Sequence, residues 1–481
     1  MNSETPFLVI GAGPAGLTAA LELARAGMPV EVHEADGRAG GMSASLDLWG
    51  QRVDLGPHRF FSRNARVNAF WREIAGDACV SVDRLTRILY DGKFFYYPLR
   101  PLNALAGLGP FEAMRCGFSY LAAQFRRGGE AETFEDWVSR RFGDRLYRTF
   151  FKTYSEKLWG IPCSRLDADF AAQRIKKFSL GEAVRTMFFG NSGQHATLCD
   201  RFLYPTGGTG EIYEKIVREI ERLGGRVYLN SPVRGLWAEG DVVKGVTLKD
   251  GSTRPARHVV STMPLTLAAS SLSLRAATAE TCAALRYRNT ILVYLSIDGA
   301  DLFPDNWIYV HSAGLDCGRI TNFRNWAPSI CGGATGTIVV LEYWCYDEDP
   351  VWHASDETLI ETAKREFRTT GLHGGHAIQA GKVVRLHRSY PVYARGYREP
   401  LTRLTNWLRG IRKVSFIGRG GAFKYNNQDH SILMGLLAAD NLLGRAEHDL
   451  WSVNTDSEYQ EGARSSTAVG NEKKENPYET S

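Results

Sequence analysis

The chain has few cysteines for its length, and none of them is grouped. Eight thiols in 481 residues (Cys79, Cys116, Cys163, Cys199, Cys282, Cys317, Cys331 and Cys345) include no Cys-x-x-Cys pair and no Cys/His cluster at metal-ligand spacing. That leaves no basis for a metal site and reads as free thiols in a reducing compartment. No uncharged apolar run reaches the roughly 18 residues that suggest a transmembrane helix. Lysine and arginine form no long block, and a net charge of +5 is small for this size, which argues against a nucleic-acid partner. Neither a Gly-x-Ser-x-Gly turn nor the residue order of a catalytic triad is found. No internal repeat or low-complexity linker interrupts the chain before Asp449, where it turns polar and aperiodic; 449–481 reads as a disordered tail. So little precedes the apolar run at Phe7 that no signal or transit peptide is expected, which points to a cytoplasmic protein.

What is present starts at once. An apolar run, Phe7 to Ile10, ends in Gly11-Ala12-Gly13-Pro14-Ala15-Gly16, and a helix-patterned stretch, Leu17 to Ala26, follows. A second short strand, Val30 to His33, then delivers Glu34, 18 positions after the last glycine. Each part has a physical task. Gly11 makes the tight turn, Gly13 lets backbone approach a pyrophosphate, and Gly16 lets helix pack on strand. The helix start offers free N–H groups and a positive dipole end to phosphates, and Glu34 can accept ribose hydroxyls. Strand, helix and acid in register predict a dinucleotide-binding unit.

The residues after Glu34 narrow the cofactor. Ala35-Asp36-Gly37-Arg38-Ala39-Gly40-Gly41-Met42, then Asp54-Leu55-Gly56-Pro57-His58, resemble the extended fingerprint of the FAD superfamily of amine oxidases, protoporphyrinogen oxidase, phytoene desaturases and UDP-galactopyranose mutase. Later markers follow in order: Tyr204-Pro205-Thr206-Gly207-Gly208-Thr209-Gly210 before a helix, Asn230-Ser231-Pro232-Val233 at a strand end, Val259 to Pro264, and Phe416-Ile417-Gly418-Arg419-Gly420-Gly421. The resemblance implies an α/β fold, a Rossmann-like FAD-binding domain of the glutathione-reductase-like, amine oxidase type. Helical and antiparallel-sheet substrate-binding parts are inserted into it. The expected division is 6–62, 200–265 and 412–446 for the discontinuous FAD domain, 63–199 for a mainly helical cap, and 266–411 for a sheet. Helical spacing over Ala131 to Phe142 and Asp144 to Lys157 agrees with this, as do β-rich stretches at Thr290 to Ile297, Trp307 to His311 and Gly336 to Glu342. Carried over by position, the FAD residues would be Gly11, Gly13, Pro14, Ala15, Gly16, Glu34, Ala35, Arg38, Gly40, Gly41, Met42, Gly56, Pro57, His58, Val233, Gly418, Arg419, Asp429, His430 and Ser431.

Within that superfamily further segments resemble UDP-galactopyranose mutase. Gly56-Pro57-His58 looks like its Gly-x-His, and Tyr97-Pro98-Leu99 to Leu102 like its Leu-Pro-Ile/Phe-Asn segment. Tyr154 to Trp159 is similar to a Tyr-Thr-x-Lys-Gln-Trp signature whose tyrosine stacks on uracil and whose tryptophan lines the sugar pocket. Arg174 falls near a phosphate-binding arginine, Leu285 to Asn289 resembles Leu-Pro-Tyr-Arg-Ser, and Gly418 to Asp429 resembles Gly-Arg-Leu-x-x-Tyr-Arg-Tyr-x-Asp-Met-Asp. The resemblance implies catalytic roles for His58, Arg288, Arg419 and Tyr425, and substrate contacts from Tyr154, Trp159, Arg174, Arg288, Arg419, Tyr425 and Asn427. Arginines 174, 288 and 419 aimed at one cavity would clamp a diphosphate. Taken alone, Trp159 reads equally as a core aromatic, Arg288 as an exposed ion-pair partner, and His58 as a buried hydrogen-bonded histidine.

The departures bear on substrate. The acid that contacts sugar hydroxyls in that family is Asn427 here, a sheet tyrosine is replaced around Cys317-Gly318-Arg319, and a second histidine becomes Phe61. Two readings stay open. One is a flavoenzyme acting through flavin N5 on a nucleotide- or lipid-diphosphate-linked sugar. The other is an oxidoreductase removing hydride from an apolar or amine substrate, with an electron donor or acceptor that the chain does not specify. The segment from Tyr96 to Phe125, rich in Leu, Phe, Tyr and Ala and followed by Arg126 and Arg127, is either a peripheral membrane face or a pair of core helices; the core reading is preferred.

Overall fold

A computed structural model describes residues 5–125, 131–168, 201–272 and 276–454. Its organising unit is a five-stranded parallel sheet in the spatial order Val414–Phe416, His258–Ser261, Phe7–Ile10 (β1), Val30–His33 (β2) and Arg226–Tyr228. All four residues of β1 are buried, as expected for a central parallel strand covered on both faces. Chain order runs outward from β1 in both directions, so the sheet reverses direction beside β1, where open α/β sheets bind ligands. Pro14 opens helix α1 (Pro14–Arg25) at its first turn, and Gly27, at φ 73°, lies just beyond its end. Leu17, Leu21 and Leu23 are fully buried against the sheet and its neighbours. On its other side α1 meets the long helix Gln428–Leu443. A side chain at Gly435 there would stand 2.6 Å from the Ala15 carbonyl oxygen, so the crossing is as close as backbone allows.

The helix expected after Gly207-Gly208 runs Gly210–Arg222, with Ile212, Ile216 and Ile220 stacked on one buried face. The three-stranded meander Val233–Glu239, Val242–Leu248 and Thr253–Pro255 leads back to the parallel sheet.

A second sheet of seven strands stands over the first unit's ligand edge. Its order is Ile378–Pro391, Tyr287–Ile297, Thr337–Cys345, Arg319–Asn322, Trp307–Val310, Thr86–Tyr90 and Lys93–Tyr96. The three β-rich stretches expected from sequence fall on its second, fifth and third strands, and the middle strand Arg319–Asn322 was not expected. Its last two come from the first insertion, which the sequence pattern did not suggest. The pairing of Trp307–Val310 with Thr86–Tyr90 is parallel and the rest antiparallel. The two helices expected between 131 and 157 occur as Phe134–Tyr147, broken at Gly143 (φ 82°), a five-residue π-turn Arg148–Lys152, and Thr153–Trp159. Before them lie Pro101–Leu108 and Pro110–Gln124. The first packs Ala104 and Leu108 on a buried cluster, but the second is not the core helix expected: Phe111, Phe118 and, at its end, Phe125 are 63%, 71% and 83% exposed. No described helix is long and apolar enough to cross a membrane. Arg174 and residues 455–481 of the tail lie outside the described residues.

Candidate active site

Between the two sheets lies a cavity of about 740 Å³, lined by the Gly11–Ala15 turn and by residues of the seven-stranded sheet. One end is built from backbone. Gly13 and Gly41 face each other so closely that a Cβ on Gly41 would lie 3.2 Å from the Gly13 Cα, and both line the cavity. Gly11, at φ 95°, turns the chain beside Thr262, whose hydroxyl donates to the Ile10 carbonyl at 2.7 Å. Gly13 caps α1 with no side-chain hydrogen bond, which leaves the first-turn N–H groups to an anion. Glu34 Oε2 accepts from the Ala12 N–H at 2.7 Å and Oε1 from the Asp36 N–H at 2.9 Å, so the carboxylate ties the glycine turn to β2 while it faces the cavity.

Of the residues expected at a cofactor, Gly11, Gly13, Pro14, Ala15, Glu34, Ala35, Gly41, Met42, Pro57, His58, Val233, Gly418, Arg419 and Ser431 line the cavity. The others stand behind it. Gly16 abuts the Gly11 carbonyl, where a Cβ would lie at 2.1 Å. Gly40 takes φ 106° and Gly56 φ 109° in the supporting turns. Arg38 is turned to Asp36 at 3.2 Å. Asp429 and His430 form the buried first turn of Gln428–Leu443. His430 Nδ1 accepts the Asn427 N–H at 3.4 Å and lies 3.3 Å from Asp429 Oδ1. With that nitrogen spent as an acceptor it does not donate to the carboxylate, and burial pushes Asp429 up to about 7.

A residue whose role sequence did not disclose holds this end together. Asp54 is fully buried and lies within hydrogen-bond distance of Ser45 Oγ (2.6 Å), Tyr204 Oη (2.8 Å), Thr209 N (3.0 Å) and Thr209 Oγ1 (2.8 Å). Burial raises its pKa against the pull of those donors. It joins the Gly56-Pro57-His58 turn to the Tyr204–Gly210 loop. His58, beyond it, is held neutral: burial, with the Arg419 and Arg319 charges, lowers it to about 3.

The other end carries arginines and tyrosines. Arg419 donates from Nε to the Asn426 carbonyl at 2.8 Å and from one terminal nitrogen towards Ser389 O at 3.4 Å. Its guanidinium lies 5.1 Å from the Tyr390 ring centre and 5.2 Å from that of Tyr425. Among the described residues no carboxylate pairs with it. Tyr154 stacks on His311, ring centres 4.9 Å apart and 17° from parallel, and Tyr425 stacks on Tyr390 at 5.4 Å. Asn427 also faces the cavity.

Two expected substrate residues do not. Trp159 is fully buried in the core behind Tyr390 and Tyr425. Arg288 is 3% exposed and lies outside the cavity wall; it does form an ion pair, with Asp349 at 3.5 Å, but from a buried rather than an exposed position. Its donors bind the carbonyls of Leu158 (3.1 Å), Lys157 (3.0 Å) and Trp344 (2.5 Å), which fastens the end of helix Thr153–Trp159 to the sheet. Its place as a cavity cation is taken by Arg319 and Arg388. Arg319 is locked by two bonds to Glu342 (2.6 and 2.5 Å), its cross-strand partner. Arg388, at φ 54°, sits at an irregularity in the edge strand Ile378–Pro391. Neither was legible without the strand register. Thr262 was more accessible to reasoning, since it follows directly on a parallel strand, where such folds place ligand contacts.

Comparison with known proteins agrees with this geometry. The sequence profile of the flavin containing amine oxidoreductases matches residues 14–443. The chain belongs to that family. Among its relatives, the Klebsiella pneumoniae protein named "probable UDP-galactopyranose mutase" is 28% identical over 189 residues, 37% of this chain and 47% of that protein. The neurosporene-forming phytoene desaturase of Rhodobacter capsulatus is 25% identical over 279 residues, 53% and 51% of the two chains. The matches thus span about half the length of these relatives. In three dimensions the chain is similar to the crystal structure of reduced UDP-galactopyranose mutase, with a TM-score of 0.83 over 94% of this chain and 96% of that one, at 22% identity. The cofactor is FAD, and the cavity fits it. The facing glycines and the open start of α1 would hold the pyrophosphate, Glu34 the ribose, and the turns at Met42, Pro57 and Gly418 the flavin.

Proposed function

We propose that this FAD enzyme acts on a sugar carried by a diphosphate. The observation that carries the reading is Arg419, a guanidinium set in the cavity wall against Tyr390 and Tyr425 with its charge unmatched by any described carboxylate. An apolar or cationic substrate has no use for such a group, whereas a phosphate neutralises it through charge-assisted hydrogen bonds. Arg388 also lines the cavity, and Tyr154 offers a face for a base or sugar ring. When bound, FAD supplies an isoalloxazine N5 able to act as a nucleophile in its reduced form or to take up hydride in its oxidised form. The protein's own contribution is positional and electrostatic: arginines stabilise the departing diphosphate, and neutral His58 offers hydrogen bonds without adding charge. Similarity to the mutase structure supports this reading of the fold and leaves the sugar open.

A second reading rests on the aromatic end of the cavity, where Phe134, Phe150 and Phe151 accompany Leu99. It suits oxidation of an apolar substrate, and the phytoene desaturase relative accords with it. Titration of the dithionite-reduced, anaerobic holoenzyme with UDP and UDP-sugars separates the two. Saturable changes in flavin absorbance, weakened about tenfold or more by Arg419→Ala while FAD stays bound, are expected from loss of a charge-assisted contact. No response to any nucleotide would transfer the assignment to the oxidase reading.

A further inference from the structure

Helix Pro110–Gln124 is amphipathic in the reverse sense. Its inward face carries small or polar groups: Cys116 and Ala123 are buried, and Ser119 packs so close to Gly143 that a Cβ there would lie 2.6 Å from the Ser119 backbone. The outward face carries Phe111, Met114, Phe118 and Leu121, 63%, 56%, 71% and 54% exposed, and continues to Phe125 at 83%. At 100° per residue these five fall within an arc of roughly 80°, a stripe about 20 Å long. Leu105, 42% exposed on the preceding helix, extends it. Few exposed large hydrophobic residues lie elsewhere in the described molecule (Trp49, Leu229 and Leu267, none above 41%), so the patch is a local feature of this face.

We propose that this helix pair docks the protein on an anionic lipid bilayer, with the stripe seated at the headgroup–acyl boundary. Charge complementarity selects this occupant. Arg100 and Arg115 are exposed beside the stripe, Arg100 over the Tyr96 ring at 4.3 Å and Arg115 over Phe111 at 4.4 Å. Arg141 stands at the far end, its carbonyl bonded by Gln124 at 3.4 Å. The one carboxylate on these helices, Glu112, is taken by Arg145 and lies near Arg115. An apolar stripe flanked by cations matches anionic headgroups, whereas a second copy would bring the same cations. Beneath the pair, Leu108 and Ala104 pack on the cluster of Ile88, Phe95 and Phe150, and Ile88, Leu99 and Phe150 also form the apolar wall of the cavity. The docking face and the active-site cavity therefore share one wall.

The test is co-sedimentation of the full-length holoenzyme with vesicles of phosphatidylcholine alone and with one quarter phosphatidylglycerol. Binding to the anionic vesicles, reduced on the order of tenfold by Phe118→Asp/Leu121→Asp and lowered by salt, is expected. Both side chains are exposed, and unchanged flavin absorbance and melting temperature in the variant show that the fold is intact. Arg115→Glu provides the second variant and should weaken binding to anionic vesicles alone. No vesicle binding overturns the proposal, as does binding that ignores both variants. A concentration-dependent dimer, made monomeric by the double variant and indifferent to lipid, overturns it in favour of a second copy.

Discussion

Two arginines show how one residue type serves two ends. Arg288 is buried with donors bonded to three carbonyls and its remaining terminal nitrogen 3.5 Å from the Asp349 carboxylate, so its charge is met within the protein. Removing it leaves those acceptors without partners in a site water does not reach. Arg288→Ala is expected to cost about 3 kcal/mol or more of stability, read as a shift in the urea midpoint of the holoenzyme. Arg288→Lys should recover little, because an ammonium cannot reproduce a planar fork that spans two chain segments. Arg419 has carbonyl partners too, yet it keeps a face on the cavity and lacks a carboxylate, which leaves its charge available. The distinction between the two is one of paired and unpaired charge, and on the proposed function it separates a stability residue from a ligand residue.

At the scale of elements, the glycine turn works because three chains meet without side chains. Gly16 sits where helix α1 leaves the turn, and a methyl there would collide with the Gly11 carbonyl at 2.1 Å and press on Val9 at 3.0 Å. The obstruction is backbone and cannot rotate away, so the helix would have to lift from the sheet and carry its first-turn N–H groups with it. Gly16→Ala should therefore purify with most of its flavin lost, seen as a fall in the 450 nm to 280 nm absorbance ratio. Gly117→Ala, on the exposed helix Pro110–Gln124 with open space around it, offers a matched control that should retain the flavin.

For the whole molecule, the cavity matters because it lies between two sheets that would otherwise meet around empty space. A ligand that binds only the folded state stabilises it by RT ln(1 + [L]/Kd), about 4 kcal/mol at a thousandfold excess over Kd. The apoprotein is expected to melt several degrees below the holoenzyme and to recover on addition of FAD. Riboflavin should restore less, because without the diphosphate the start of α1 is left with its N–H groups unbound. Equal melting of both forms would show that the cavity ends are held by protein contacts alone.

Sequence by itself determined the nucleotide-binding unit and its cofactor. The turn, the helix and Glu34 are local features whose geometry follows from a few consecutive residues, and most of the cofactor residues read in this way line the cavity. It also located three interior strands of the second sheet, since β-branched runs declare themselves without a partner. Tertiary structure alone decided the rest. Strand register brought Arg319 against Glu342 and set Arg388 and Tyr390 at the cavity, across separations no pattern spans. The same packing drew Arg288 and Trp159 back into the core, where sequence had offered both a structural and a functional role. The apolar enrichment of 96–125 was visible, but which side chains turn outward depends on what the helices pack against. Local chemistry is written in neighbouring residues; burial is a property of the assembled whole.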